Sequence, residues 1–306
     1  MNLLVTGAWH EAREYTGELE NLGHKVQILQ WEKDPLPCAY EWVEGVICNG
    51  LFLYHPIELF PNLHYIQLTS AGYDRVPLDY IHSHGIELHN ARGVYSIPMA
   101  EHAVSGVLQL YRQTRVFDRN QREHKWNKKQ TLSELYGKTV CIVGCGSVGT
   151  ECAKRFQAFG SRVIGIQRTV SSSYSFVEYN EICSVNELDK SLSEIDILVL
   201  ALPLTEDTRH LMNRDRIFNL KQGAIVVNLS RGEIIETKPL IEAICNGTIG
   251  GAVLDVFEEE PLPTDSPLWN QENVILTPHN SFNGEGNCER LWKCIWKNIG
   301  KNIEGD

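Results

Sequence analysis

The run Val140-Cys141-Ile142-Val143-Gly144-Cys145-Gly146-Ser147-Val148-Gly149 decides the fold. Four apolar residues stopped by a glycine read as a buried strand, and the pattern that continues to Phe159 reads as a helix. Glycines spaced GxGxxG between a strand and a helix have the context that binds a dinucleotide. Each glycine has its own task. Gly144 permits a tight turn, Gly146 lets a pyrophosphate approach the backbone, and Gly149 lets the helix close on the sheet. Ser147 and Val148 open the helix, whose unpaired N–H groups and positive end suit an anion.

Working outward, the strand pattern recurs at residues 139–143, 162–166, 197–201, 224–228, 251–255 and 274–277. Upstream it appears at 3–5, 26–29, 46–48, 65–68 and 86–88. Strands that alternate with helical or turn segments imply parallel sheets covered by helices on both faces. One long helix is expected over 98–119, then a polar, basic connection over 121–133. A last helix over 285–303 places Leu291, Trp292, Ile295, Trp296, Ile299 and Ile303 in one apolar stripe, and the first domain is its expected acceptor.

The strand at 162–166 runs into Gln167-Arg168-Thr169, where an NAD site usually carries Asp or Glu on the ribose hydroxyls. No carboxylate stands there to repel a 2′-phosphate. Arg168 can pair with that phosphate, and Thr169 and Ser171 can donate hydrogen bonds. NADP is therefore the expected cofactor, with NAD the alternative. A plain solvated loop arginine is the other account of Arg168.

The chain has 306 residues, enough for two domains at roughly 150 each. Its net charge of −11 disfavours nucleic acid and anionic membranes as partners, although one cationic pocket can still take a small anion. No run reaches the ~18 apolar residues of a membrane-spanning helix, and the N-terminus has no signal-peptide pattern. Nine cysteines without a CxxC pair read as reduced thiols rather than disulfides or a metal site, and the expected compartment is the cytoplasm.

Three segments sit at the ends of later strands: Asn228-Leu229-Ser230-Arg231-Gly232, Asp255-Val256-Phe257-Glu258-Glu259-Glu260-Pro261 and Thr277-Pro278-His279-Asn280. Ligands bind at the strand ends of open parallel sheets, so an Arg, a Glu and a His from these segments are candidates to meet beside a nicotinamide. With them the chain resembles the D-isomer-specific 2-hydroxyacid dehydrogenases, which include glyoxylate/hydroxypyruvate reductases, D-lactate dehydrogenases and phosphoglycerate dehydrogenases. The resemblance runs from Gln67 to Asn280 in order and spacing. Besides the glycine loop and these segments it includes Thr69-Ser70-Ala71-Gly72-Tyr73-Asp74, Ala100-Glu101-His102 and Ala201-Leu202-Pro203-Leu204-Thr205.

The resemblance implies an α/β chain of two doubly wound parallel-sheet domains. A Rossmann dinucleotide-binding domain over residues 99–280 would be inserted into a flavodoxin-like substrate domain made of residues 1–98 and 281–306. It implies Arg231, Glu260 and His279 as the catalytic set. Hydride delivery to C2 of a 2-oxoacid puts negative charge on the carbonyl oxygen, and an imidazolium supplies the proton near neutral pH. Glu260 would stabilise that imidazolium, and Arg231 would hold the substrate carboxylate and polarise the carbonyl.

Glu260 is preferred to Glu258 and Glu259 because it precedes Pro261, as in the family. His102, at the opening of the helix leading out of the first domain, takes a structural role. Ser70, Ala71 and Gly72 resemble a backbone cradle for the substrate carboxylate. Leu202 and Pro203 would line the adenine side, and Asp255 the nicotinamide carboxamide.

Two departures bear on the substrate. Phosphoglycerate-type members usually carry Arg after the third strand, where Asn49 stands here, and Phe282 follows His279 where relatives often have small residues. Both favour a small 2-oxoacid or 2-hydroxyacid, glyoxylate or hydroxypyruvate. A phosphoglycerate dehydrogenase and a non-catalytic, dinucleotide-sensing corepressor-like protein with the same Arg/Glu/His set are the alternatives. Family analogy implies a homodimer.

Overall fold

The computed structural model describes residues 1–169 and 177–300, so Ser171 and Ile303 lie outside the described residues. The chain divides into two units, Met1–Tyr95 with Gly284–Asp306, and Ser96–Asn283. These divisions fall three residues from the expected boundaries at 98 and 280.

In the first unit the chain runs β1 (Asn2–Thr6), α1 (Ala12–Asn21), β2 (Lys25–Leu29), β3 (Gly45–Cys48), β4 (Tyr65–Leu68), α2 (Leu78–Ser83) and β5 (Glu87–His89). All strand pairs are parallel, in the order β2-β1-β3-β4-β5, the flavodoxin-like arrangement. Every residue of β3 and β4 is buried, and apart from Gln67 both are apolar throughout. The edge strand β2 alternates instead.

The second unit opens with α3 (Ser96–Tyr111) and α4 (Thr114–Arg122). The single helix expected over 98–119 is thus two helices. Gln113 separates them in the left-handed region at φ 52°, and no Gly or Pro announces the break. Then follow β6 (Thr139–Val143), α5 (Ser147–Ala158), β7 (Arg162–Gln167), β8 (Glu181–Ser184), α6 (Leu188–Ser191), β9 (Ile197–Leu200), α7 (Arg214–Phe218), β10 (Ala224–Asn228), α8 (Thr237–Cys245), β11 (Ile249–Leu254) and β12 (Val274–Leu276). The seven-stranded parallel sheet has the order β12-β11-β10-β9-β6-β7-β8, the Rossmann order with one strand added. Sequence patterning misses β8, a short polar edge strand paired to β7.

The chain then returns to the first unit as α9 (Asn287–Gly300). Leu291, Ile295 and Ile299 of its stripe are buried with Leu3, Val5, Trp9 and Ile47. Trp292 stacks on Trp9 and Tyr15 with ring centroids 5.8 and 4.5 Å away. Trp296 stays 42% exposed, so the stripe is narrower than its sequence suggests. Among the described residues no helix is long and apolar enough to cross a membrane.

Candidate active site

The glycine loop leaves β6 where the strand order reverses, between β6 and β9. Gly144 adopts φ 103°, and a Cβ there would lie 2.4 Å from the Ala201 carbonyl oxygen, so both conformation and contact exclude a side chain. A Cβ at Gly149 would lie 2.0 Å from the Gly144 carbonyl oxygen, which lets α5 close on the turn. Gly146 differs: a Cβ there meets nothing within 4 Å. The loop therefore keeps open space beside the first turn of α5, where the Ser147 and Val148 amides have no acceptor among the described residues. A dinucleotide pyrophosphate fits this cradle of small residues and N–H donors. Gln167 ends β7, and Arg168 and Thr169 are exposed. Leu202 donates its amide to Ser230 Oγ at 2.9 Å, tying the β9 end to the β10 end.

Arg231 follows β10, Glu260 follows β11 and His279 follows β12, all at the carboxyl ends of adjacent strands. His279 Nδ1 and Glu260 Oε2 are 3.0 Å apart, and Glu260 Oε1 accepts the Phe257 amide at 3.1 Å. The carboxylate is thus fixed by its own loop while it meets the imidazole. Asn228 Nδ2 donates to the Arg231 carbonyl at 3.0 Å, and Arg231 Nη1 donates to the Ser230 carbonyl at 2.8 Å. A Cβ at Gly232 would lie 1.8 Å from the Phe257 carbonyl carbon, so only glycine lets the Arg231 loop rest on the Glu260 loop. Glu258 turns to His210 Nε2 at 3.0 Å, away from the pair that Glu260 makes. Phe282 meets the His279 ring edge-on at 6.3 Å.

His279 itself has φ 49°, a conformation costing roughly 1–2 kcal/mol for a residue with a side chain. Asp255 holds it there. The His279 amide donates to the Asp255 carbonyl at 2.8 Å, and the Asn280 and Ser281 amides donate to the Asp255 carboxylate at 2.8 and 3.0 Å. Thr277 Oγ1 donates to the same carboxylate at 2.5 Å. The resemblance sets Asp255 beside the carboxamide, but it is 1% exposed and both oxygens are engaged by the loop. The half-buried His102 lies 3.4 Å from Thr277 Oγ1; burial lowers its pKa below the usual histidine value, and Asp255 opposes that shift. Sequence reasoning did not single out Thr277 and Asn228 as loop anchors, because small polar residues after strands carry no distinctive signal.

In the first unit, Ser70, Ala71 and Gly72 follow β4, and their amides find no acceptor among the described residues. Asn90 Nδ2 pins the Ala71 carbonyl at 2.7 Å. Asn49 follows β3.

Comparison with known proteins agrees with this architecture. Residues 104–281 match the model of the D-isomer specific 2-hydroxyacid dehydrogenase NAD binding domain. The chain is 34% identical to a glyoxylate reductase of Korarchaeum cryptofilum, over 92% of this chain and 88% of that one. It is 33% identical to a D-3-phosphoglycerate dehydrogenase of Methanocaldococcus jannaschii, over 82% of this chain but 47% of that one. A D-isomer specific 2-hydroxyacid dehydrogenase from Xanthobacter autotrophicus, solved in complex with NADPH and MES, superposes with a TM-score of 0.80 at 28% identity, covering 100% of this chain and 95% of that one. The chain belongs to the D-isomer specific 2-hydroxyacid dehydrogenase family. It is a dehydrogenase or reductase acting on a hydroxy or oxo group, and its second unit is the family's NAD-binding domain.

Proposed function

We propose that this chain reduces a small 2-oxoacid, glyoxylate or hydroxypyruvate, to the D-2-hydroxyacid, with NADPH preferred and NADH the alternative. The observation that carries the proposal is the 3.0 Å contact between His279 Nδ1 and Glu260 Oε2 at the strand ends that follow the glycine loop. With Nδ1 on a carboxylate, Nε2 is the nitrogen left to give a proton to the substrate carbonyl oxygen. In the oxidative direction the same nitrogen takes the proton from the hydroxyl. Glu260 keeps the ring oriented and balances its positive charge. Arg231 offers a planar cation to the carboxylate and polarises the carbonyl. Ser70, Ala71 and Gly72 are proposed as further carboxylate donors, because their amides have no acceptor among the described residues.

The nicotinamide supplies the hydride. Gly144, Gly146, Ser147, Val148 and Gly149 are assigned to its pyrophosphate, Leu202 and Pro203 to the adenine side, and Gln167, Arg168 and Thr169 to the ribose. Arg168 and the lack of a carboxylate beside it support NADPH. Asp255 is assigned to holding the His279 loop. Phosphoglycerate is the weaker substrate, since uncharged Asn49 would meet its phosphate. The homodimer is proposed as well, and sedimentation at twice the 34.7 kDa chain mass is the expected outcome. The free thiols of all nine cysteines support the reducing cytoplasm.

Mixing the purified protein with NADPH and glyoxylate tests the central claim. The reduced-coenzyme absorbance should fall with time, and faster than with NADH. No turnover across a panel of 2-oxoacids would refute the assignment.

A further inference from the structure

The sheet of the first unit has one place that its topology reserves for a ligand. Ligands of open parallel sheets bind outside the carboxyl ends of the strands where the strand order reverses. Here that is between β1 and β3. The position contains a carboxylate of the chain itself. Glu32, on the loop after β2, receives the Asn49 amide at 2.7 Å and the Thr6 hydroxyl at 2.8 Å on Oε1, and the Gly50 amide at 2.8 Å on Oε2. Thr6 ends β1, and Asn49 and Gly50 follow β3, so one carboxylate spans both strand ends. Consecutive amides turned toward one point are the donor set that otherwise takes an external anion.

One strand further along, Cys48 of β3 is in register with Leu68 of β4. Past that pair lie the Ser70, Ala71 and Gly72 amides, which have no acceptor among the described residues. Two neighbouring donor sets therefore differ in one respect: the first is saturated by a fixed negative charge and the second is open. Arg75 also approaches Gly50, its Cδ lying 3.6 Å from where a Cβ on Gly50 would stand.

Resting on the 2-oxoacid reductase assignment above, we infer that Glu32 is a specificity-determining residue. It fills the anion-receptive position between β1 and β3, so the open Ser70–Gly72 loop takes the one carboxylate of the substrate and a second anionic group is repelled. The substrate class is then the monoanionic 2-oxoacids. A dicarboxylate or phosphorylated 2-oxoacid would set its extra charge against Glu32, with the nearby amides already taken.

Pyruvate and oxaloacetate differ by one carboxylate and make the test. The wild type should show a kcat/KM for pyruvate at least tenfold above that for oxaloacetate. Glu32→Gln, with its fold checked by circular dichroism and Tm, should narrow that ratio at least tenfold. Equal efficiencies in the wild type, or a ratio within twofold of wild type in folded Glu32→Gln, would overturn the inference. Calorimetry with inorganic phosphate on the NADPH-saturated protein reads the position without turnover: Glu32→Gln should bind phosphate at least tenfold more tightly than the wild type, and equal affinity would overturn the inference. Should Glu32→Gln not fold, the wild-type ratio decides: a tenfold preference for pyruvate upholds the inference and equal efficiencies overturn it. A wild type that reduces no 2-oxoacid, with Glu32→Gln binding phosphate at least tenfold more tightly, refutes the parent assignment and leaves the filled position standing.

Discussion

Gly144 and Gly146 stand two residues apart and answer to different forces. Gly144 is required by the backbone, with φ 103° and a carbonyl oxygen 2.4 Å from where a side chain would begin. Gly146 has room for a methyl group in the free protein. Gly144→Ala should therefore lose more than about 1 kcal/mol of stability. Gly146→Ala should melt within a degree or so of the wild type and yet bind NADPH at least tenfold more weakly; paired melting curves and coenzyme titrations separate the two. At the reacting centre, His279→Ala should lower kcat by about 10²–10⁴ with the fold intact. Near wild-type turnover would remove its assigned role. The glycine loop was legible in the sequence because its turn restricts the residue types, whereas His279 and Glu260 were reached through the family resemblance, and the fold sets their side chains 3.0 Å apart. Glu32 was not legible: within Trp31-Glu32-Lys33-Asp34 it reads as one more solvated charge, and only the fold turns it onto the ends of β1 and β3.

At the scale of elements, strands read well where burial on both faces makes them almost wholly apolar, as in β3, β4, β9 and β10. They read poorly at the edge, where β8 looks like loop. The break between α3 and α4 was illegible because a glutamine occupies the left-handed position that glycine would have marked. Gln113 also buries its Oε1 without a partner. Replacing Gln113 by Gly should relieve both penalties and raise stability by up to about 1 kcal/mol, seen as a higher urea midpoint at unchanged slope. The loop after β12 offers a sharper contrast. If Asp255 serves mainly to hold His279, Asp255→Asn should cut kcat while the NADPH dissociation constant stays within twofold. The reverse pattern, weaker coenzyme binding with kcat preserved, would return Asp255 to the carboxamide.

For the whole molecule, each unit carries a histidine kept from its proton by burial, His24 in the first and His102 in the second. Burial and then the N-terminal ammonium hold the His24 pKa below its ordinary value, and burial does so for His102. A depressed histidine pKa means that the unfolded chain binds the proton more readily. The associated stability is complete above about pH 6.5 and is lost as the pH falls from there toward the folded value. Chemical denaturation at pH 7.5 and 5.5 should show this loss, and His24→Gln should shrink it in the first unit. An identical loss in the variant would exclude His24 as a source.

The packing of α9 against the flank of β1 also sets an order of events during synthesis. Leu3, Val5 and Trp9 are translated before the second unit, but their apolar neighbours Leu291, Ile295 and Ile299 are translated after it. The second unit, continuous from Ser96 to Asn283, can close while the first still lacks one of its layers. Until α9 is made, the nascent chain therefore carries an apolar face of Leu3, Val5, Trp9 and Ile47 open to chaperones.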